Sequence, residues 1–190
     1  MKIYTRKGDD GTTGLLFGGR VRKDDAAIEA TGAVDEAQAC LGVARAQVEP
    51  GSEIDGILVG VERDLYVLMA ELATARVNRS KLVGGTTRVT SDMVARLELL
   101  IDELTGRFPP VTEFVIPGTD RVAAALDHGR TVVRRAERRV LRVPLDGSFD
   151  GSLAGPYLNR LSDLLWTMAR WQEQGASLRS RASGAPDATP

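Results

Sequence analysis

Residues 54–72 read IDGILVGVERDLYVLMAEL. Ile54, Ile57, Leu58, Val61, Leu65, Leu68, Met69 and Leu72 recur at steps of three and four, a stripe of about three and a half residues per turn, which is the signature of a helix with one buried face. On its amino-terminal side Pro50-Gly51 stops an earlier helix that Asp24-Asp25 can cap and along which Ile28, Val34, Ala37, Leu41 and Ala44 repeat. On its carboxyl-terminal side, residues 78–90 break the pattern. Ser91 then caps a third helix carrying Val94, Leu97, Leu100, Ile101 and Leu104, which ends at Gly106 before Pro109-Pro110 forces an extended chain. Beyond a connector at 112–118, a fourth helix is predicted from Thr119 or Asp120 to about Leu141. A fifth runs from Ser152 or Pro156 to Gln174 through Leu158, Leu161, Leu165, Met168 and Ala169. The expected fold is all-α, a five-helix bundle of ferritin-like up-and-down architecture spanning residues 24–174.

The two flanks read differently. Residues 1–23 are rich in glycine and hydroxyls and lack a helical period, so a loop is expected there, with a short extended piece at Lys2 to Thr5. Residues 175–190 hold Ala, Ser, Gly and Pro with little to bury and are expected to form a disordered tail. The 190 residues carry 25 Lys+Arg against 26 Asp+Glu, a net charge of −1, which argues against neutralising many phosphates along a nucleic acid. No apolar run approaches the roughly 18 residues of a membrane span, and the amino terminus lacks the apolar core of a secretory signal, so a cytoplasmic location is expected. A hydrophobic content of 43% with only 5% aromatic suits packed helices rather than a β-sandwich. The single cysteine, Cys40, precludes a disulfide framework and reads as core filler in its apolar stretch.

Elimination narrows the chemistry. A di-metal carboxylate centre needs Glu-x-x-His pairs on facing helices, and the one histidine, His128, belongs to none; it reads as satisfied or solvent-facing rather than catalytic. The amino-terminal stretch TRKGDDGTTG, Thr5 to Gly14, combines unhindered backbone amides, hydroxyls and two cations, the ingredients of a polyphosphate cradle, although it is no Walker loop and equally suits a solvated start. Asp9 and Asp10 could hold Mg²⁺ through water or serve as turn residues. On the fourth helix, at 100° per residue from Arg130, Arg134 falls at about +40° and Glu137 at about −20°, beside the apolar face of Leu126, Val133, Ala136 and Val140. Guanidiniums beside a buried face want an anionic partner. Arg135, Arg138 and Arg139 point elsewhere and suit a solvated surface. Asn159, Asp163, Trp166 and Arg170 line one side of the fifth helix, as along a wet seam between helices or subunits. Asp35 and Glu36 sit in an apolar stretch of the first helix, where a carboxylate wants an arginine; Asp35 with Arg130 is the preferred pair.

These blocks together resemble the PduO-type corrinoid adenosyltransferases over nearly the whole chain, from Thr5 to Arg170. The matching pieces are TRKGDDGTTGL with VRKDD at 21–25, GAVDE at 32–36, FVIPG at 114–118, RTVVRRAER at 130–138 and YLNRLSD at 157–163. The resemblance implies a homotrimer of five-helix bundles that transfers the 5′-deoxyadenosyl group of ATP, with Mg²⁺, to cob(I)alamin, releasing triphosphate. It implies that ATP lies at a subunit interface, wrapped by Thr5, Arg6, Lys7, Gly8, Thr13 and Gly14. By the same resemblance Lys23 contacts phosphate, and Arg134, Arg135, Glu137, Arg138 and Asn159 hold the nucleotide from the helical side. Arg130 bridges subunits to Asp35, and Phe114 closes the lower face of the corrin. A cobalamin reductase and an adenosylcobalamin-dependent mutase are the partners it suggests. The chain departs from the family at Asp127, where a histidine is usual, and at Gly118-Thr119, where a double glycine is usual. The alternative is a helical bundle that binds ATP as a sensor or scaffold without turnover.

Overall fold

Four of the five long helices begin where the side chain of a polar N-cap residue satisfies a free backbone amide. In the computed structural model, which describes residues 3, 4, 6–143 and 151–180, Asp25 accepts from Ala27 N, Ser52 from Asp55 N, Thr90 from Met93 N and Asp120 from Ala123 N. These caps open α1 (Ala26–Arg45), α2 (Glu53–Leu72), α3 (Ser91–Thr105) and α4 (Arg121–Val140), and α5 covers Ala154–Glu173. The cap of α3 is Thr90 rather than the expected Ser91, because the extended backbone of Thr90 (φ −113°, ψ 162°) lets its hydroxyl turn back onto the first turn. Among the described residues there is one further helix, a 3-10 segment at Arg76–Lys81, and four strands of two or three residues: β1 (Thr12–Gly14), β2 (Arg20–Arg22), β3 (Val115–Ile116) and β4 (Leu178–Arg179).

The molecule is mostly helical: α1 packs on α2 and α4, α4 on α5, and α5 on α3. The approach of α4 to α1 depends on Gly129, where a Cβ would stand 2.9 Å from Leu41 Cδ2. The buried residues Leu158, Leu161, Leu164, Leu165, Met168 and Ala169 line one broad face of α5, each large side chain worth roughly 1.5–3 kcal/mol when fully buried. Within this core the Tyr157 hydroxyl donates to Asp64 Oδ2 at 2.8 Å, and Arg96 pairs with the same carboxylate. Burial, and then the Asp64 charge, push the Tyr157 hydroxyl well above its ordinary pKa of 10. A raised folded-state pKa gives a contribution that is complete below about pH 10 and lost as pH rises through the raised value. We expect Tyr157→Phe to cost about 1–2 kcal/mol at neutral pH, with the gap to wild type narrowing above about pH 10. Denaturant midpoints at the two pH values check this, and equal midpoints at neutral pH would remove the hydrogen bond from the account.

Both flanks depart from expectation. Extended structure near the amino terminus lies at β1 and β2, which pair antiparallel with Thr12 opposite Arg22, Thr13 opposite Val21 and Gly14 opposite Arg20; Lys2 and Thr5 lie outside the described residues. At the other end, residues 175–180 are ordered: Val115 pairs with Arg179 and Ile116 with Leu178, and Ser180 N donates to Phe114 O at 2.8 Å. The composition that suggested disorder is poor in apolar side chains, but this segment is held by backbone hydrogen bonds, to which that measure is blind. Residues 181–190 of the expected tail lie outside the described residues.

Candidate functional site

A cavity of about 580 Å³ opens between the 111–117 connector and the facing sides of α4 and α5, lined among others by Phe114, Val115, Asp127, Arg130, Trp166 and Arg170. Its floor is charged and buried. Asp127 and Arg170, 3% and 2% exposed, pair at 2.6 Å; Arg170 Nε lies 3.2 Å from Glu173 Oε2, and Arg130 Nε reaches Asp127 Oδ1 at 3.3 Å. The Arg170 guanidinium also covers the Trp166 ring at 5.8 Å, and that ring meets Phe108 edge to face. Above this floor Phe114 is 87% exposed, its carbonyl held by Ser180 N beside the β3–β4 pair while its ring stands free. A bare aromatic over a polar, neutralised base suits a flat apolar ligand with a polar rim.

Along α4, away from this cavity, Arg134 and Arg138 are exposed, and Glu137 accepts from Asn159 Nδ2 at 3.1 Å. The Arg160 guanidinium holds the other side of that amide, donating to Asn159 Oδ1 at 2.9 Å. On the opposite flank of α4, Arg135 Nη2 donates to Glu36 Oε1 at 2.6 Å. Arg135 and Arg139 line a hollow of about 360 Å³ there with Lys23, Gly32 and Glu36. At 100° per residue Arg135 and Arg139 stand about 140° and 180° round the helix from Arg130. The structure therefore joins Lys23 with Arg135, and Glu137 with Asn159, but α4 separates the two groups within one chain. Arg135 is exposed, as expected of a solvated surface, and there it pairs with Glu36 of α1.

The amino-terminal loop is built to hold its shape. Asp10 Oδ1 accepts from both the backbone N–H and the hydroxyl of Thr12, which, with Arg20 nearby, hold its pKa below the usual carboxylate range. Asp10 is thus a turn residue. Arg20 Nη2 donates to Lys7 O and to Thr12 Oγ1, both at 2.6 Å, and Lys23 N donates to Gly11 O at 2.9 Å. Gly8 admits the Lys23 side chain, whose Nζ would stand 3.3 Å from a Cβ there. Arg6 takes the left-handed conformation (φ 61°) with its guanidinium over Tyr4. Thr13 and Gly14 lie on β1, and Thr5 is outside the described residues.

Three expectations need correction. The Asp35–Arg130 pair is not made within the chain: Arg130 turns to Asp127, three residues back on its own helix, while Asp35 is exposed beside Arg63 and Tyr66. Cys40 is half-buried rather than core, with its Sγ 3.3 Å from Nδ1 of the exposed His128, and burial and then Glu36 raise its thiol pKa. Arg170, read as part of a wet seam, is buried. Sequence reasoning also passed over Asp127 as an acceptor for two arginines, and Arg20 as the brace of the loop. A signal for Arg170 existed: it continues a run at 164–169 that is apolar on nearly every face, where a lone cation must find a carboxylate. Among the described residues no cluster of three or more His, Cys, Asp or Glu side chains could hold a metal, and no helix is long and apolar enough to cross a membrane.

The family model for cobalamin adenosyltransferase matches residues 3–172. The corrinoid adenosyltransferase of Mycobacterium tuberculosis is 40% identical over 171 residues, covering 89% of this chain and 87% of that protein. The corrinoid adenosyltransferase of Citrobacter freundii is 40% identical over 172 residues, covering 90% and 95%. Among solved structures, a variant of the PduO-type ATP:corrinoid adenosyltransferase from Lactobacillus reuteri, complexed with cobalamin and ATP, superposes with a TM-score of 0.80 at 25% identity, covering 98% of this chain and 99% of that one.

Proposed function

Because the chain belongs to the cobalamin adenosyltransferase family and is a transferase that adenosylates a corrinoid with ATP, we propose that it moves the 5′-deoxyadenosyl group of ATP to cob(I)alamin and releases triphosphate. Membership of an enzyme family retires the reading of a sensor without turnover. The observation that carries the proposal is the division of residues across α4: Lys23 and Arg135 on one flank, Arg134, Glu137 and Asn159 on the other. Such halves complete one another when two copies meet, so we propose a homotrimer of five-helix bundles with ATP between subunits and Asp35 of one chain reaching Arg130 of the next. Residues 1–23 then form the nucleotide loop, 24–174 the helical body and 175–190 the terminal segment.

Cobalt(I) is a strong nucleophile and triphosphate leaves without needing a proton, so the protein supplies in-line positioning and positive charge rather than a base. Thr5, Arg6, Lys7, Gly8, Thr13 and Gly14 wrap the nucleotide, Lys23, Arg134, Arg135 and Arg138 neutralise the triphosphate, and Glu137 with Asn159 fixes the helical side. Mg²⁺ prefers phosphate oxygens and water with one or two carboxylates. The fit is to an ion carried on the triphosphate, with Asp9 touching it through water, since Asp10 is engaged by Thr12. Phe114 excludes water and a lower axial ligand from the corrin and so favours the reduced metal, because an apolar shell tunes redox potential. The reaction sits in the cytoplasm, supplied by a corrinoid reductase and followed by a mutase that uses the product.

The test is anaerobic: MgATP is added to protein and chemically reduced cob(I)alamin, the corrin spectrum is followed and triphosphate is assayed. Adenosylcobalamin with stoichiometric triphosphate is the expected result; triphosphate without a Co–C product would overturn it. For Phe114→Ala we expect turnover of pre-reduced cob(I)alamin to persist, while turnover from cob(II)alamin with a reductant falls by on the order of tenfold. Equal losses in both assays would assign Phe114 to packing alone.

A further inference from the structure

We propose that Asn78, seated by the buried Glu71, is a positioning residue that sets the amino-terminal loop for nucleotide binding. The inference rests on the reading of that loop as the nucleotide cradle. Residues 15–19 form the tip of the β1–β2 hairpin and hang on the carboxyl-terminal end of α2: Leu16 N donates to Ala73 O at 2.9 Å, and Leu16 bridges Thr74 in parallel. The two hydrogens of one side-chain amide can serve two acceptors, and Asn78 Nδ2 lies 3.3 Å from Phe17 O and 3.4 Å from Gly18 O. Lys81 holds the far side of Asn78, donating to its Oδ1 at 2.9 Å, and its ammonium lies over the Phe17 ring at 6.0 Å.

The tip needs such holding. Phe17 takes the left-handed conformation (φ 62°), followed by Gly18 and Gly19 at positive φ, and a side-chain-bearing residue stays there only where its surroundings over-determine it. The clamp stands on a rigid post. Glu71 is fully buried and accepts from Val89 N at 2.8 Å and from Arg79 Nη2 at 3.0 Å, which ties both ends of the 76–89 segment to α2. From the tip, the hairpin carries its position to Thr13 and Gly14 on β1, and the Lys23 N to Gly11 O bond carries it on toward Gly8. None of these anchors touches the cavity at Phe114, so disturbing them acts on ATP and spares the corrin.

Asn78→Asp keeps the shape and turns both donors into acceptors facing carbonyls. Hydrogen exchange over residues 6–22, with and without MgATP, is measured beside steady-state kinetics on the whole protein. Wild type is expected to show MgATP protection of the loop. Asn78→Asp is expected to exchange faster there and to raise KM for ATP about tenfold, with kcat and KM for cob(I)alamin within about twofold. Glu71→Gln, which keeps an acceptor for Val89 N but loses the charge facing Arg79, is expected to show the same pattern more weakly. If MgATP protects the wild-type loop while Asn78→Asp leaves both exchange and KM for ATP unchanged, the positioning role is overturned and the nucleotide loop stands. If Asn78→Asp speeds exchange without moving KM for ATP, and MgATP gives wild type no protection, the reading of the loop itself falls. Equal rises in both KM values would mean a structural role only, which also overturns the proposal.

Discussion

Arg134→Ala lowers kcat/KM for ATP by on the order of a hundredfold, about 2–3 kcal/mol of transition-state stabilisation, and leaves the fold intact. Arg134 is exposed, and among the described residues no hydrogen bond or ion pair engages it, whereas its neighbour Arg135 is committed to Glu36 at 2.6 Å. Truncating Arg134 therefore strands no internal carboxylate. What is lost is a guanidinium fork aimed out of the helix, and a fork of that kind is worth most where charge develops on a leaving polyphosphate. Arg134→Lys keeps the charge without the fork and falls between wild type and alanine. Rates over a range of ATP concentrations, with thermal midpoints as the control for folding, decide the matter. A wild-type kcat/KM in the alanine variant removes Arg134 from the site.

Arg170→Ala acts on the other half of the ledger, costing about 3–5 kcal/mol of folding stability, a large share of the 5–15 kcal/mol typical of a domain. The guanidinium is 2% exposed and lies between two buried carboxylates, Asp127 at 2.6 Å and Glu173 at 3.2 Å. Without it both acids are left buried without their shared cation: Asp127 keeps Arg130 at 3.3 Å, and Glu173 keeps only the hydroxyl of Ser177. Adding Asp127→Asn to Arg170→Met recovers much of the loss, since a buried ion pair stabilises far less than its half-removal destabilises. Chemical denaturation of the single and double variants measures both quantities. A single variant with the wild-type midpoint would show that the two acids are solvated without Arg170 and would remove the buried ion pair from the account.

The helices were legible because their signals are local. The stripe from Ile54 to Leu72 and the caps at Asp25 and Asp120 each act within a few residues, and the structure keeps them. The β-pairings were not legible, since Val115 meets Arg179 and Ile116 meets Leu178 across more than sixty residues of intervening chain, and exposed two-residue strands leave no alternation to read. The charged groups divide in the same way. The helical stripe of Arg130, Arg134 and Glu137 follows from 3.6 residues per turn. Which acid each arginine takes does not: Asp127 outcompetes Asp35 for Arg130 within the chain because it is already on the same helix face, three residues away. Asn78 and Glu71 gave no sign in the sequence, as their importance lies in whose carbonyls and amides they meet.

Gly129 sets the width of the seam between α1 and α4. The absent methyl there lets Leu41 of α1 lie against the backbone of α4. The Glu36–Arg135 clasp and the Cys40–His128 contact span the same seam on neighbouring turns. One hydrogen atom in place of a side chain thus sets the gap between the acidic helix and the arginine-bearing helix, and Arg130 is the next residue along. In a map of mutational tolerance position 129 belongs with the reactive residues, although it takes part in no chemistry: a single carbon there would alter the spacing on which every neighbouring charge relies.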